Sequence, residues 1–280
     1  MWTITALISV AGLLFIWVGY PMMVALAASF RTTSQSARRS EEAPTVSVII
    51  ASRETPAIVA DRIADALAVC YPSDRLEIVV GLDATVDPAD YGAISVDPRV
   101  RVVRGDPGGK PGGLNAAVRA ASGEVLVFTD SWQRFDSNAV SFLVSALRDP
   151  KIGAVSGYLE IAKGAVGSTL GHSYMRYELW LREREARIHS PPGLVGAIYA
   201  MPRAYWEPLP AGLILDDVYT AMRLVLQGRR IGFERRAITH DLRPPVPGSE
   251  RRRKVRTLTG IFQLCAWSLS RATMIWSCTC

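Results

Sequence analysis

Residues 76–83 read Leu-Glu-Ile-Val-Val-Gly-Leu-Asp. An apolar, β-branched run of this length predicts a strand buried on both faces, closed here by an aspartate. Upstream, residues 45–51 (TVSVIIA) have the same character. Downstream, so do 100–104 and 124–129 (EVLVFT), the latter closing on Asp130. Between them stand helical stretches: 58–70, where Ile58, Ile63 and Leu67 keep near-helical spacing, 112–121, stopped by Gly123, and 138–148. Alternating strands and helices with unbroken apolar strands predict an α/β fold with a mostly parallel sheet flanked by helices. Such sheets bind ligands outside the carboxyl ends of their strands. Asp83 and Asp130 stand at those ends.

The second half is less regular. A strand is expected over 153–161, a charged helix over 171–188 with Tyr174, Tyr177, Trp180 and Leu181 partly buried, and a short β segment over 193–201. A helix over 217–226 is stopped by Gly228, with Asp216 and Asp217 at its start.

Residues 1–30 carry no charged side chain. About 20 apolar residues cross a bilayer, so the segment predicts one transmembrane helix ahead of the α/β domain. Trp2 and Tyr20 suit the interfaces, and Pro21 either kinks the helix or marks its end. Ala25-Leu26-Ala27 resembles a signal-peptide cleavage site. However, no Lys or Arg precedes the apolar run, and the run exceeds a usual signal core, which favours a retained anchor. Arg31, Arg38 and Arg39 follow the run, which places the rest of the chain in the cytoplasm of a cell with its inner membrane crossed once. Residues 31–44 read as a linker. Cys70, Cys265, Cys278 and Cys280 have no metal-ligand spacing and fit a reducing compartment. The net charge of +6 gathers in Arg251, Arg252, Arg253, Lys254 and Arg256. No aromatic platform interleaves the basic residues, so nucleic acid is not an expected partner.

Chemistry concentrates in four places, each with a plain structural alternative. Asp83 either accepts from a ribose or base, or opens a turn. Gly105-Asp-Pro-Gly-Gly-Lys110-Pro-Gly-Gly-Leu-Asn115 is either a phosphate-approaching backbone with a lysine charge, or a flexible loop. Its spacing fits neither a P-loop nor a dinucleotide fingerprint. Asp130 is either a ligand for Mg²⁺ or Mn²⁺ on a diphosphate, or a cap. Asp216 and Asp217 either serve a proton transfer or cap a helix. Arg253 and Arg256 either hold a pyrophosphate or lie on a membrane.

In this order the features resemble the family 2 glycosyltransferases, with their GT-A fold, over about residues 45–262. The matching pieces are TVSVIIASRE, YPSDRLEIVVGLDATVD, GGKPGGLNAAVRAASGEVLVFTD, GAVSGYLEI, GAIYAMPR, ILDDVYTAMRLVLQGRRIGFE and ERRRKVRTLTG. The resemblance implies an inverting hexosyltransferase that takes a sugar from a nucleoside diphosphate donor, UDP in particular, to a saccharide or lipid acceptor at the membrane. By it, Glu54 and Asp83 contact the donor nucleoside and Lys110 the donor phosphates. Asp130 opens the metal motif for Mg²⁺ or Mn²⁺. Asp217 is the general base with Asp216 beside it, and Arg253 and Arg256 take the first and fourth places of Q-x-x-R-W. Two positions depart from the pattern. Trp132 stands where the metal motif usually has its second acid. Thr257 replaces the Trp that accompanies processive synthesis in this family. The expected division is therefore an anchor at 1–30, a linker at 31–44, a GT-A domain at 45–257 and a C-terminal segment at 258–280. That last segment, with about 14 apolar residues, is too short to span a bilayer. The competing reading is a catalytically inactive, membrane-tethered assembly subunit. Asp217 speaks for the enzyme, because a scaffold has no use for that base.

Overall fold

The computed structural model describes residues 2–31, 43–94, 96–161, 169–243 and 248–277. Four apolar runs form parallel strands: β1 (Val46–Ser52), β2 (Leu76–Leu82), β3 (Val100–Arg104) and β4 (Val125–Thr129). Helix α3 (Pro56–Leu67) links β1 to β2, and α4 (Lys110–Ala120) links β3 to β4. Each has a proline in its first turn, where the missing N–H costs nothing and the fixed φ favours a helical start. Beyond β4 the sheet changes direction. β7 (Ile198–Pro202) runs antiparallel to β4, and β6 (Ile152–Ile161) antiparallel to β7. β8 (Arg230–Asp241) is parallel to β6, and β5 (Gln133–Phe135) closes the edge antiparallel to β8. The eight strands lie in the order β3-β2-β1-β4-β7-β6-β8-β5. Four of the seven pairings are parallel, as expected of a mostly parallel sheet, and the antiparallel ones all lie beyond β4.

Alternation along the strands feeds two cores. Val48, Ile50 and Ile78 face α3, α5 (Ala139–Ala146) and α6 (Thr169–Ile188) through Val59, Ile63, Leu143 and Leu179. Ile49, Val79, Leu126 and Phe128 face α4 and α7 (Asp216–Leu226) through Leu114, Ala117, Ala221 and Leu224.

The glycine-rich stretch is not a flexible loop. Helix α4 begins at Lys110, so Gly112 and Gly113 lie inside it. A Cβ on Gly81 of β2 would stand 2.0 Å from the Gly113 carbonyl oxygen, so bare backbone lets helix and strand touch. Gly108 and Gly109 take φ of 118° and 75°, a turn open to glycine that delivers Lys110 to the helix start.

At the N-terminus, α1 (Trp2–Leu14) and α2 (Tyr20–Ser29) join through a π turn over Phe15–Gly19. Together they make one 28-residue helix that includes an 18-residue window of mean hydropathy 2.0, long and apolar enough to cross a membrane. Pro21 does not end it. The wide turn just before Pro21 absorbs the hydrogen bond that the imino acid cannot donate. Pro21, Val24 and Ala28 are buried where α2 lies on α6. The linker is outside the described residues except at its ends.

Helix α8 (Ser249–Ser277) runs without a break through position 257. Its Gln263 amide donates to the Gly212 carbonyl at 2.9 Å and accepts from the Ile214 N–H at 3.0 Å. A Cβ on Gly260 would come within 2.5 Å of Leu215, so α8 presses on the loop that leads into α7.

Candidate active site

The carboxyl ends of β2, β1 and β4 lie side by side, and each is followed by an acid: Asp83, Glu54 and Asp130. Strands about 4.8 Å apart spread these groups over roughly 10 Å, the reach of a nucleoside and its diphosphate. The turns holding them are cross-linked. The Asp83 N–H donates to the Ser52 carbonyl at 2.8 Å, the Glu54 N–H to the Ser52 hydroxyl at 3.1 Å, and the Ser131 hydroxyl to that of Ser52 at 2.8 Å. The Tyr91 hydroxyl donates to the Glu54 carbonyl. Asp83 Oδ1 accepts from the Thr85 N–H and hydroxyl, and these bonds, with Arg53 nearby, hold its carboxyl below the usual range. It is an ionised acceptor whose Oδ2 remains for a ligand.

At the Asp130 end of this row, four sequence-predicted residues gather. The Lys110 ammonium lies 3.0 Å from Asp130 Oδ1 and 3.3 Å from Asp216 Oδ2. Burial works against its charge, but Asp130, Asp216 and Asp217 outweigh it and hold its pKa above the ordinary value. Asp216 is only 5% exposed, and this ion pair compensates its burial. Asp217 is pushed up by burial and by Asp216, with Lys110 and Arg182 pulling the other way. Its Oδ1 accepts from the Val218 N–H at 2.9 Å, one of the first-turn amides that have no partner within α7. Its Oδ2 faces Gly196, where any Cβ would approach within 3.2 Å. Glycine there keeps that oxygen clear.

The arginines of α8 sit differently. Arg256 donates to the Ile214 carbonyl at 3.1 Å and so steadies the approach to Asp216. Arg253 lies one turn earlier on the exposed side of α8, and the structure gives it no bond to the Lys110 cluster.

Several residues near the site were not read from the sequence. The Tyr199 hydroxyl is buried without a hydrogen-bond partner, and burial first, then Asp216, Asp217 and Asp130, raises its pKa. Its ring stacks on Phe128 at 4.6 Å, and Trp206 stacks on the far side of Phe128 at 5.0 Å. Arg62 is fully buried beneath the strand ends. It pairs with Asp65, donates to Thr129 Oγ1 at 3.3 Å and lies 4.1 Å over the Phe135 ring; burial pulls its pKa down to about 10. Arg182 of α6 donates to the Gly193 and Leu194 carbonyls at 3.1 and 3.2 Å and fixes the segment that ends at Gly196. None carries a local motif; each acts through burial or contacts far along the chain.

Asp130 is the only acid at the expected metal position, since Trp132 cannot ligate. Among the described residues no three His, Cys, Asp or Glu side chains gather to cage an ion. Mg²⁺ is commonly held by one or two carboxylates completed by substrate phosphates and water. The donor set therefore fits an ion that arrives with a diphosphate.

A parallel βαβ half that lines up acids at its strand ends, followed by a mixed half carrying an Asp pair, is a GT-A-type fold. Residues 43–260 match the profile described as Glycosyltransferase like family 2, and the chain belongs to that family. It is 27% identical over 223 residues to the probable glycosyltransferase YdaM of Bacillus subtilis (strain 168), a match that covers 73% of this chain and 52% of that protein. The chain thus spans about half the length of that relative. Its fold is similar to that of the mannosyltransferase PcManGT from Pyrobaculum calidifontis, solved with GDP-Man and Mn²⁺ (TM-score 0.71, 21% identity, 92% of this chain and 74% of that one). It is also similar to mannosyl-3-phosphoglycerate synthase from Rubrobacter xylanophilus (TM-score 0.58, 15% identity, 86% and 80%).

Proposed function

We propose that the chain is an inverting glycosyltransferase that takes a sugar from a nucleoside diphosphate donor, UDP in particular, to a saccharide or lipid acceptor at the cytoplasmic face of the inner membrane. Residues 1–30 are its anchor, 31–44 the linker, 45–257 the catalytic domain and 258–280 a C-terminal segment. The observation that carries the reading is the placement of Asp217, whose Oδ2 faces the bare backbone of Gly196 while its neighbour Asp216 joins Lys110 and Asp130. Asp83 and Glu54 hold the nucleoside, Lys110 neutralises the diphosphate, and Arg253 and Arg256 close on it from α8. The acceptor oxygen attacks the anomeric carbon while Asp217 takes its proton; the bond from that carbon to the diphosphate breaks, and the nucleoside diphosphate leaves. A divalent ion on Asp130 would add Lewis-acid stabilisation of the leaving diphosphate. The raised Asp217 carboxyl suits a base, because a higher pKa means a stronger pull on the acceptor proton once ionised.

A panel of UDP-, GDP- and dTDP-sugars, read out as free nucleoside diphosphate, tests the assignment. Release from a UDP-sugar is expected. Release from no nucleotide sugar, with and without Mn²⁺, would remove it.

A further inference from the structure

The anchor is not merely a tether, because its second half is built into the catalytic domain. Trp17 meets Tyr174 edge-on at 6.3 Å and stacks with Tyr177 at 6.1 Å, and Tyr177 stacks with Trp180 at 6.1 Å. The Tyr20 hydroxyl donates to Glu185 Oε1 at 2.6 Å. Helix α6 is thus sandwiched, with Met175 and Leu179 toward the sheet and Tyr174, Tyr177 and Glu185 toward the anchor.

The sandwich sets the height of the active site. Starting at Trp2, the roughly 30 Å of hydrocarbon is used up after about 20 helical residues. On that count Tyr20, about 27 Å along, lies near the boundary between hydrocarbon and headgroups, where Tyr and Trp are favoured, and Trp17 with the α6 aromatics it meets lies about one turn deeper. Arg182, on the same helix, clamps Gly193 and Leu194, and two residues on Gly196 touches Asp217. Helix α6 thus touches the anchor on one side and, through Arg182, the segment beside the base on the other. Helix α8 holds the loop that leads into α7, through Arg256 to the Ile214 carbonyl and Gln263 to the Ile214 N–H. Beyond Lys254, Val255, Leu258, Ile261 and Phe262 expose apolar side chains on the face of α8 opposite Gly260 and Gln263. Basic residues followed by an apolar stripe suit a surface of anionic lipid.

Resting on the glycosyltransferase reading above, we infer that the acceptor is a lipid resident in the bilayer, whose hydroxyl reaches Asp217 at headgroup depth past the seam of anchor and α6. A soluble saccharide needs no such placement.

The full chain, reconstituted in vesicles made from native membrane lipid extract, is given the radiolabelled donor found by the nucleotide-sugar panel. Label is expected in the organic phase. The double substitution Trp17→Ala, Tyr177→Ala, which leaves the donor site intact, should lower lipid labelling at least tenfold while donor binding and slow hydrolysis of donor by water stay at wild-type levels. Label confined to the aqueous phase on an added saccharide, or a double variant that labels lipid as well as wild type, would overturn the inference. Absence of donor binding and hydrolysis in wild type would instead strike the glycosyltransferase reading itself.

Discussion

Asp217 combines two demands on one side chain: Oδ1 holds the start of α7, and Oδ2 is left for chemistry. Its raised carboxyl gives both a rate and a stability signature. Transfer should rise with pH as Asp217 ionises, along a limb that sits above the ordinary aspartate range. For stability, a carboxyl raised in the folded state contributes fully below its unfolded pKa, and that contribution is lost as pH climbs through the folded pKa. The ionised form is therefore a cost at neutral pH. Asp217→Asn keeps the capping oxygen and removes the charge, so its Tm at pH 7 should equal or exceed that of wild type, with the gap narrowing in acid. Thermal melts across pH read this directly, and a large loss of Tm at pH 7 would assign Asp217 to structure. No histidine among the described side chains offers a rival base: His240 is held by Asp136 at 2.8 Å and His189 by Ser190 at 3.0 Å, while the His172 side chain lies outside the described residues. Lys110, Asp130 and Asp216 were legible as a constellation because they sit beside strand ends and a helix start, which local pattern reveals. Tyr199 and Arg182 were not legible: a tyrosine in a strand and an arginine in a charged helix look ordinary until burial or a distant carbonyl gives them a partner.

Among the elements, the strands that lead to Glu54, Asp83 and Asp130 were readable nearly to the residue. β2 and β3 have the bounds their β-branched runs suggest, because those residues fill the core and the charges among them, Glu77 and Arg101, are few. β8 shows the opposite case. Its twelve residues include Arg230, Glu234, Arg235, Arg236 and Asp241, and only Ile231, Gly232, Ala237 and Thr239 are buried, so its pattern is masked by an exposed face. Helix α4 was placed, but the contact of its Gly113 with β2 was not read, because close backbone packing leaves no hydrophobic signature. Gly81→Ala tests that contact. With a Cβ 2.0 Å from the Gly113 oxygen, α4 must move, and overpacking of this kind costs about 1–3 kcal/mol. Denaturant unfolding should show that loss together with weaker donor binding, because α4 carries Lys110. Unchanged stability would mean the helix–strand contact is looser than described.

The whole molecule joins a hydrophobic helix to a mixed α/β domain through α6. If residues 1–30 remain on the mature protein, N-terminal sequencing of membrane-extracted material starts at or next to Met1; a start near Ala28 would mean a cleaved signal segment. Removing them should also expose the Tyr174, Tyr177 and Trp180 face of α6, so a truncated domain is expected to self-associate without detergent. A monodisperse monomer in size-exclusion chromatography would contradict that. The sequence suggested an anchor followed by a linker, but not that the anchor packs on the domain, because Trp17 and Tyr174 are separated by over 150 residues and nothing local pairs them. The account as a whole turns on chemistry at Asp217. Wild type and Asp217→Asn, reconstituted alike, should be compared for donor affinity by calorimetry and for nucleoside diphosphate release on the same preparations. Equal affinity with turnover reduced about 10²–10⁴-fold is the predicted result; turnover near wild type in the variant would contradict the assignment of the base.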